Sequence, residues 1–114
     1  MEEIQVTARM KIHDGKLDAF KALAAKALQS VGEKDTGTRQ YDWFFNADQS
    51  ECVVREGFAD SQAILDHAAH VGELLGPMTD VADMSMEFYG DPSPEVLETV
   101  AAFKPAVYSY FQGL

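Results

Sequence analysis

His67 and His70 lie three residues apart at the end of residues 52–70, a stretch that passes from a strand pattern into a capped helix. An imidazole titrates near neutrality, so one held at the edge of a pocket can take a proton from an acidic phenol. On a helical wheel Ile64, Leu65, Ala68 and Val71 mark the buried side, which puts His67 at its edge and His70 nearly opposite. The spacing therefore predicts one base, His67, and one solvated histidine, His70. A structural His67, bonded to a backbone carbonyl and fixing the helix against a sheet, is the competing expectation. No metal is expected, because Asp66, His67 and His70 lack a converging further ligand and the chain has a single cysteine.

Arg9 and the indole N–H of Trp43 are the groups that could stabilise an anion formed by that base. Arg55 beside Glu56 reads instead as half of a structural ion pair. Tyr41, Trp43, Phe44 and Phe45 form an aromatic cluster suited to a core, a subunit interface or a flat wall for an aromatic substrate. Tyr41, Phe58 and Asn46 are the candidate substrate contacts, although turn chemistry accounts for Asn46 equally well. A tyrosine is the alternative base. Cys52 reads as a small buried hydrophobe with no evident base to activate it.

At 114 residues, 46% hydrophobic and 25% charged, the chain suits one globular domain over residues 1–114, with a core over 4–90 and an extension over 91–114. A net charge of −10 disfavours nucleic acid and anionic membranes as partners. The opening residues have no basic and apolar leader pattern, and no run of ~18 apolar residues could span a bilayer. A reducing, cytoplasmic setting is the expectation.

Ile4, Val6, Ala8, Met10 and Ile12 alternate with polar residues, which predicts a strand. Leu17, Phe20, Ala24, Ala27, Leu28 and Val31 recur at helical spacing up to about Gly32. Residues 38–46 and 51–58 form a hairpin pattern. Asp60 or Ser61 opens a second helix, which Gly76-Pro77 should split in two. Met84, Met86 and Phe88 alternate as a fourth strand, Ser93-Pro94-Glu95 starts a third helix, and residues 106–111 read as a last strand. This order is a ferredoxin-like split β-α-β unit: an α+β fold whose antiparallel sheet carries helices on one face, followed by a C-terminal helix and strand. The other face is too apolar for water alone, so a second subunit's sheet is its expected cover. The last strand should add to a sheet edge, either its own or the partner's.

The chain resembles the antibiotic biosynthesis monooxygenase-type family of dimeric α+β barrels over residues 4–89. The resemblance rests on Gly15-Lys16 opening the first helix, Phe20, Gly37 and Tyr41, and above all Glu56, Phe58 and Asp60 leading to Ala63, His67 and His70. Phe58 stands where tryptophan is frequent, so an indole N–H is lost there. The resemblance implies a homodimer and a pocket between sheet and helices for a small aromatic or apolar molecule. It further implies a monooxygenase acting without metal, flavin or other cofactor on a phenol, quinol or anthrone. A non-catalytic metabolite-binding barrel and a proton-transfer isomerase are the alternatives within the same fold.

Overall fold

A computed structural model describes residues 3–114; Met1 and Glu2, part of the opening read above as free of a leader, lie outside them. Strand β1 (Ile4–Ile12) occupies the centre of the sheet, antiparallel to β3 (Glu51–Phe58) on one side and β4 (Ala82–Tyr89) on the other. Strand β2 (Thr38–Phe45) pairs outside β3, giving the split β-α-β order β2-β3-β1-β4. The register sets Ala8 opposite both Val54 and Met86. Inward residues of the three strands therefore form one continuous apolar floor, as period-2 alternation demands.

Helix α1 (Leu17–Lys34) and helix α2 (Ser61–Val81) cover that floor. Phe20, Ala27 and Val31 are the buried stripe of α1, which runs two residues beyond the expected end at Gly32. Ala63, Ile64, His67, Val71, Met78 and Val81 are the stripe of α2. Asp60 caps α2, its carboxylate accepting the Ala63 N–H at 2.8 Å. Gly76-Pro77 does not split this helix. Proline removes one bond, that to the Glu73 carbonyl, while Met78 and Val81 beyond it are buried against the sheet and hold the last turn in place.

The extension folds back onto the same unit. Ser93 caps helix α3 (Pro94–Thr99), and its backbone N–H donates to Ser61 Oγ at 3.0 Å, tying the extension to the start of α2. Strand β5 (Ala106–Tyr108) is shorter than the expected 106–111 and pairs parallel with β4 of its own chain, so the five-stranded sheet is mixed. Tyr108 stacks on Tyr89 with ring centroids 5.7 Å apart, whereas Phe111 beyond the strand is 91% exposed. No described helix is long and apolar enough to cross a membrane.

Gly37 lies where the loop between α1 and β2 meets α2: a Cβ there would come 2.5 Å from Ala63 Cβ. Gly37→Ala is expected to cost about 1–3 kcal/mol through overpacking. Gly32→Ala, with nothing within 4 Å of the added methyl in a helical position, is expected to stabilise by roughly 0.5–1 kcal/mol. Urea denaturation of the two variants checks the contrast.

Candidate functional site

Between the sheet and the helices lies a cavity of about 90 Å³. Its floor is apolar, from Val6, Ala8 and Val54, and Met10, Met78, Met84 and Met86 add flexible side chains. The extension closes part of it with Thr99, Val100 and Phe103. Four polar-tipped side chains of larger reach interrupt this wall: Tyr41, Trp43, Glu56 and His67.

His67 enters because it is in phase with Ile64 and Val71 on the buried stripe of α2. Tyr41 and Phe58 flank its ring, each with a centroid distance of 5.1 Å. Its Nδ1 is 2.8 Å from Asp35 Oδ2. A carboxylate only accepts, so Nδ1 carries the proton and Nε2 keeps its lone pair. That Nε2 is 3.6 Å from Glu56 Oε1, beyond hydrogen-bond length but within reach of a proton transfer after a small movement.

Asp35 is the C-cap of α1 and its side chain is 2% exposed. Besides His67 it accepts from Thr38 Oγ1 at 2.6 Å and His70 Nδ1 at 2.6 Å. Burial opposes its charge, but these bonds prevail and hold its carboxyl below the usual range. Burial pushes the His67 imidazole below its ordinary value, against the pull of Asp35, so the ring is neutral near pH 7. Burial, with the Asp35 charge adding to it, raises Glu56 to about 8. Tyr41 is raised above the normal phenol range by burial and then by Glu56 and Asp35, which makes it a donor rather than a base. The Cys52 thiol is pushed up to about 11 by burial. Trp43 Nε1 is enclosed and makes no well-formed hydrogen bond among the described residues, though it lies close enough to the Tyr41 phenol to lower that group's proton affinity.

The remaining sequence candidates are elsewhere. Arg9 alternates with Ala8 and Met10 and so projects from the opposite sheet face, where it pairs with Glu87 at 3.4 Å. The aromatic cluster divides: Tyr41 and Trp43 line the cavity, while Phe44 takes the outer face and is 55% exposed. Asn46 is engaged in its hairpin, accepting the Glu51 N–H at 2.9 Å and donating to Ser50 at 3.1 Å. His70, as expected from its place away from the buried side, does not line the cavity, but its ring is not merely solvated. Residues i and i+3 are only about 60° apart on a helix, so both rings reach the same carboxylate. Among the described residues no group of three or more His, Cys, Asp and Glu is arranged to hold a metal ion.

The model of the antibiotic biosynthesis monooxygenase family matches residues 4–72, from β1 through the histidines of α2. The chain belongs to that family. Solved structures share the fold. MupZ from Pseudomonas fluorescens is 23% identical, with a TM-score of 0.82 covering 100% of this chain and 94% of its own. SnoaB, a cofactor-independent oxygenase from Streptomyces nogalater, is 12% identical, with a TM-score of 0.69 over 82% of this chain and 96% of its own. Rv0793 from Mycobacterium tuberculosis is 20% identical, with a TM-score of 0.70 over 80% and 96%. No curated protein sequence matches. The family match ends before the extension, which nonetheless walls the cavity of this monooxygenase-family protein.

Two members of the polar group escaped sequence reasoning. Glu56 had a usable signal, since it falls in phase with Cys52, Val54 and Phe58, all inward on β3. Asp35 had none, because the histidines it bonds are 32 and 35 residues further on.

Glu56 yields a pH prediction. Its folded value of about 8 exceeds the ordinary 4.5, so between them the native state holds a proton that the unfolded chain has lost. Stability then falls as pH rises through that window, by at most about 1.4 kcal/mol per unit. His67, depressed below 6.5, acts oppositely only at lower pH. The urea midpoint of the native protein is therefore expected to drop from pH 7 to 8, and that of Glu56→Gln to drop less. Equal slopes would assign the titration to another group.

Proposed function

We propose that the cavity is the active site of a cofactor-independent monooxygenase acting on a small, electron-rich aromatic of the phenol, quinol or anthrone type. One observation carries this reading: a neutral imidazole, oriented by a buried carboxylate, faces a second, protonated carboxyl across 3.6 Å at the wall of an apolar cavity. Groups whose environments push their proton affinities apart form an acid-base pair. Family membership supports the oxygen chemistry.

For an aromatic CH₂ beside a carbonyl, His67 Nε2 takes one C–H proton and leaves an enolate. The enolate gives an electron to O₂, the radical pair combines to form a C–O bond, and the peroxide receives the proton from His67. His67 then removes the second C–H proton as the O–O bond breaks, and Glu56 protonates the departing hydroxide. CH₂ and O₂ become C=O and H₂O. Proton return from His67 to Glu56 resets the pair. Burial keeps the ring neutral at the start, and Asp35 holds its one proton on Nδ1 and stabilises the imidazolium in between.

The homodimer belongs to the same proposal: Phe44 and Val53, on the outer face of the hairpin, offer apolar surface to a second sheet. A proton-transfer isomerase is the second reading, favoured by the facing acid and base, which need no oxygen to move a proton.

An oxygen electrode with an anthrone and quinol panel tests the first reading. His67→Ala is expected to lower turnover about 10²–10⁴-fold, and Arg9→Gln to change it less than about twofold, because Arg9 lies on the other face. Absence of substrate-dependent O₂ uptake by the native protein overturns oxygenation. Deuterium incorporation without O₂ uptake supports the isomerase.

A further inference from the structure

We propose that His70 is a positioning residue for the cavity base: when it takes a proton from solvent on Nε2, it offsets the charge of the carboxylate it shares with His67 and so keeps the His67 lone pair free. The inference deepens the proposed function by giving its base a regulating partner, and it depends on that reading only for its effect on turnover.

The first argument is geometric. Asp35 Oδ2 accepts from His67 Nδ1 at 2.8 Å and Oδ1 accepts from His70 Nδ1 at 2.6 Å, so each oxygen of one carboxylate serves one ring. The rings differ in what lies beyond that bond. The His67 side chain is 11% exposed and turns Nε2 toward Glu56. The His70 side chain is 30% exposed, and its Nε2 is not among the enclosed atoms, which leaves it to water. Ser30 of α1 donates to the His70 carbonyl at 2.9 Å, which fixes this turn of α2 without using the ring.

The second argument is the charge. A buried carboxylate beside an imidazole favours the imidazolium. Left alone with His67, Asp35 would draw a second proton onto that ring and occupy the Nε2 lone pair that faces the cavity. A cation on His70 meets the Asp35 charge from the solvent side, where it keeps part of its hydration. Two charged rings around one anion would leave an excess charge in an enclosed site, which is costly. The repulsion from His70 accordingly adds to the burial that lowers His67.

No other neighbour does this. From β3, Glu56 faces His67 but stays neutral up to about pH 8, and the Tyr41 phenol of β2 stays neutral as well. On β4, Asp83 pairs with His13 and Glu87 with Arg9. On α2 itself, Asp66 is exposed and accepts from Gln62 at 3.0 Å. Lys34 of α1, Arg39 of β2, Glu73 of α2 and Glu95 and Glu98 of α3 are exposed, so water screens them. Asp35 and His70 are then the charges that His67 feels most.

An NMR titration of the histidine rings in the full chain tests the proposal. In the native protein His67 should remain the neutral Nδ1–H tautomer while His70 takes its proton. His70→Asn places an amide N–H where the Nδ1–H stood, so it keeps the bond to Asp35 but accepts no proton. The His67 titration is expected to move up by about 0.5–1 pH unit in that variant, and the acid limb of kcat/KM to move with it. His70→Lys, which returns a cation to Asp35, should bring both back down; a purely structural role would not separate the two variants in this order. Protonation of His67 ahead of His70 in the native protein overturns the proposal without recourse to any variant. So does a His67 titration that fails to rise in folded His70→Asn. A raised titration in a protein that consumes no O₂ sinks the oxygenase reading alone, whereas O₂ uptake with an unmoved titration sinks the present one alone.

Discussion

One buried carboxylate, that of Asp35, organises the site. It terminates α1, where the helix dipole disfavours an anion, and it is almost wholly removed from water. Its charge persists because Thr38 from β2 and both histidines from α2 donate to it. The end of α1, the start of β2 and the sequence-distant α2 are thereby fixed around one point. The same charge decides two proton positions. It orients the His67 proton toward Nδ1, leaving Nε2 free, and it adds to the burial that keeps Glu56 protonated. Burial makes both groups neutral; the anion sets which nitrogen of the one carries its proton and adds to the proton affinity of the other.

The fold was legible because its signals are local. Alternation of Ile4, Val6, Ala8 and Met10 defines β1, and the helical stripes of α1 and α2 follow from residues three and four apart. Asp60 and Ser93 announce helix starts through their own side chains. Errors arose where packing overrides a local preference. Pro77 remains inside α2 because the next turn is buried, and the final strand stops at Tyr108, where pairing with β4 ends. Of the site, His67 was legible from its phase on the helix. Asp35 was not, since a polar residue at a helix end usually has a local role and its partners are brought to it by the fold.

The cavity draws on two parts of the chain. Residues 4–72, the family-matched part, hold Glu56, His67 and the Asp35 carboxylate that orients it. Met78, Met84, Met86 and the extension's Thr99, Val100 and Phe103 shape the remainder. The polar groups of the wall with long reach thus all come from the family-matched part, while the outline of the cavity is shared between that part and the later segment.

Helix α2 ends at Val81 and β4 begins at Ala82. No linker separates them, so the helix carrying His67 and the strand carrying Met84 and Met86 act as one continuous lever. A ligand that tilts the helix must drag the adjacent strand through its ladder with β1. The pliable part of the wall is its methionines, whose unbranched side chains can change rotamer without moving the backbone. A continuous frame lined with pliable side chains can keep His67 and Glu56 face to face while the outline of the cavity changes.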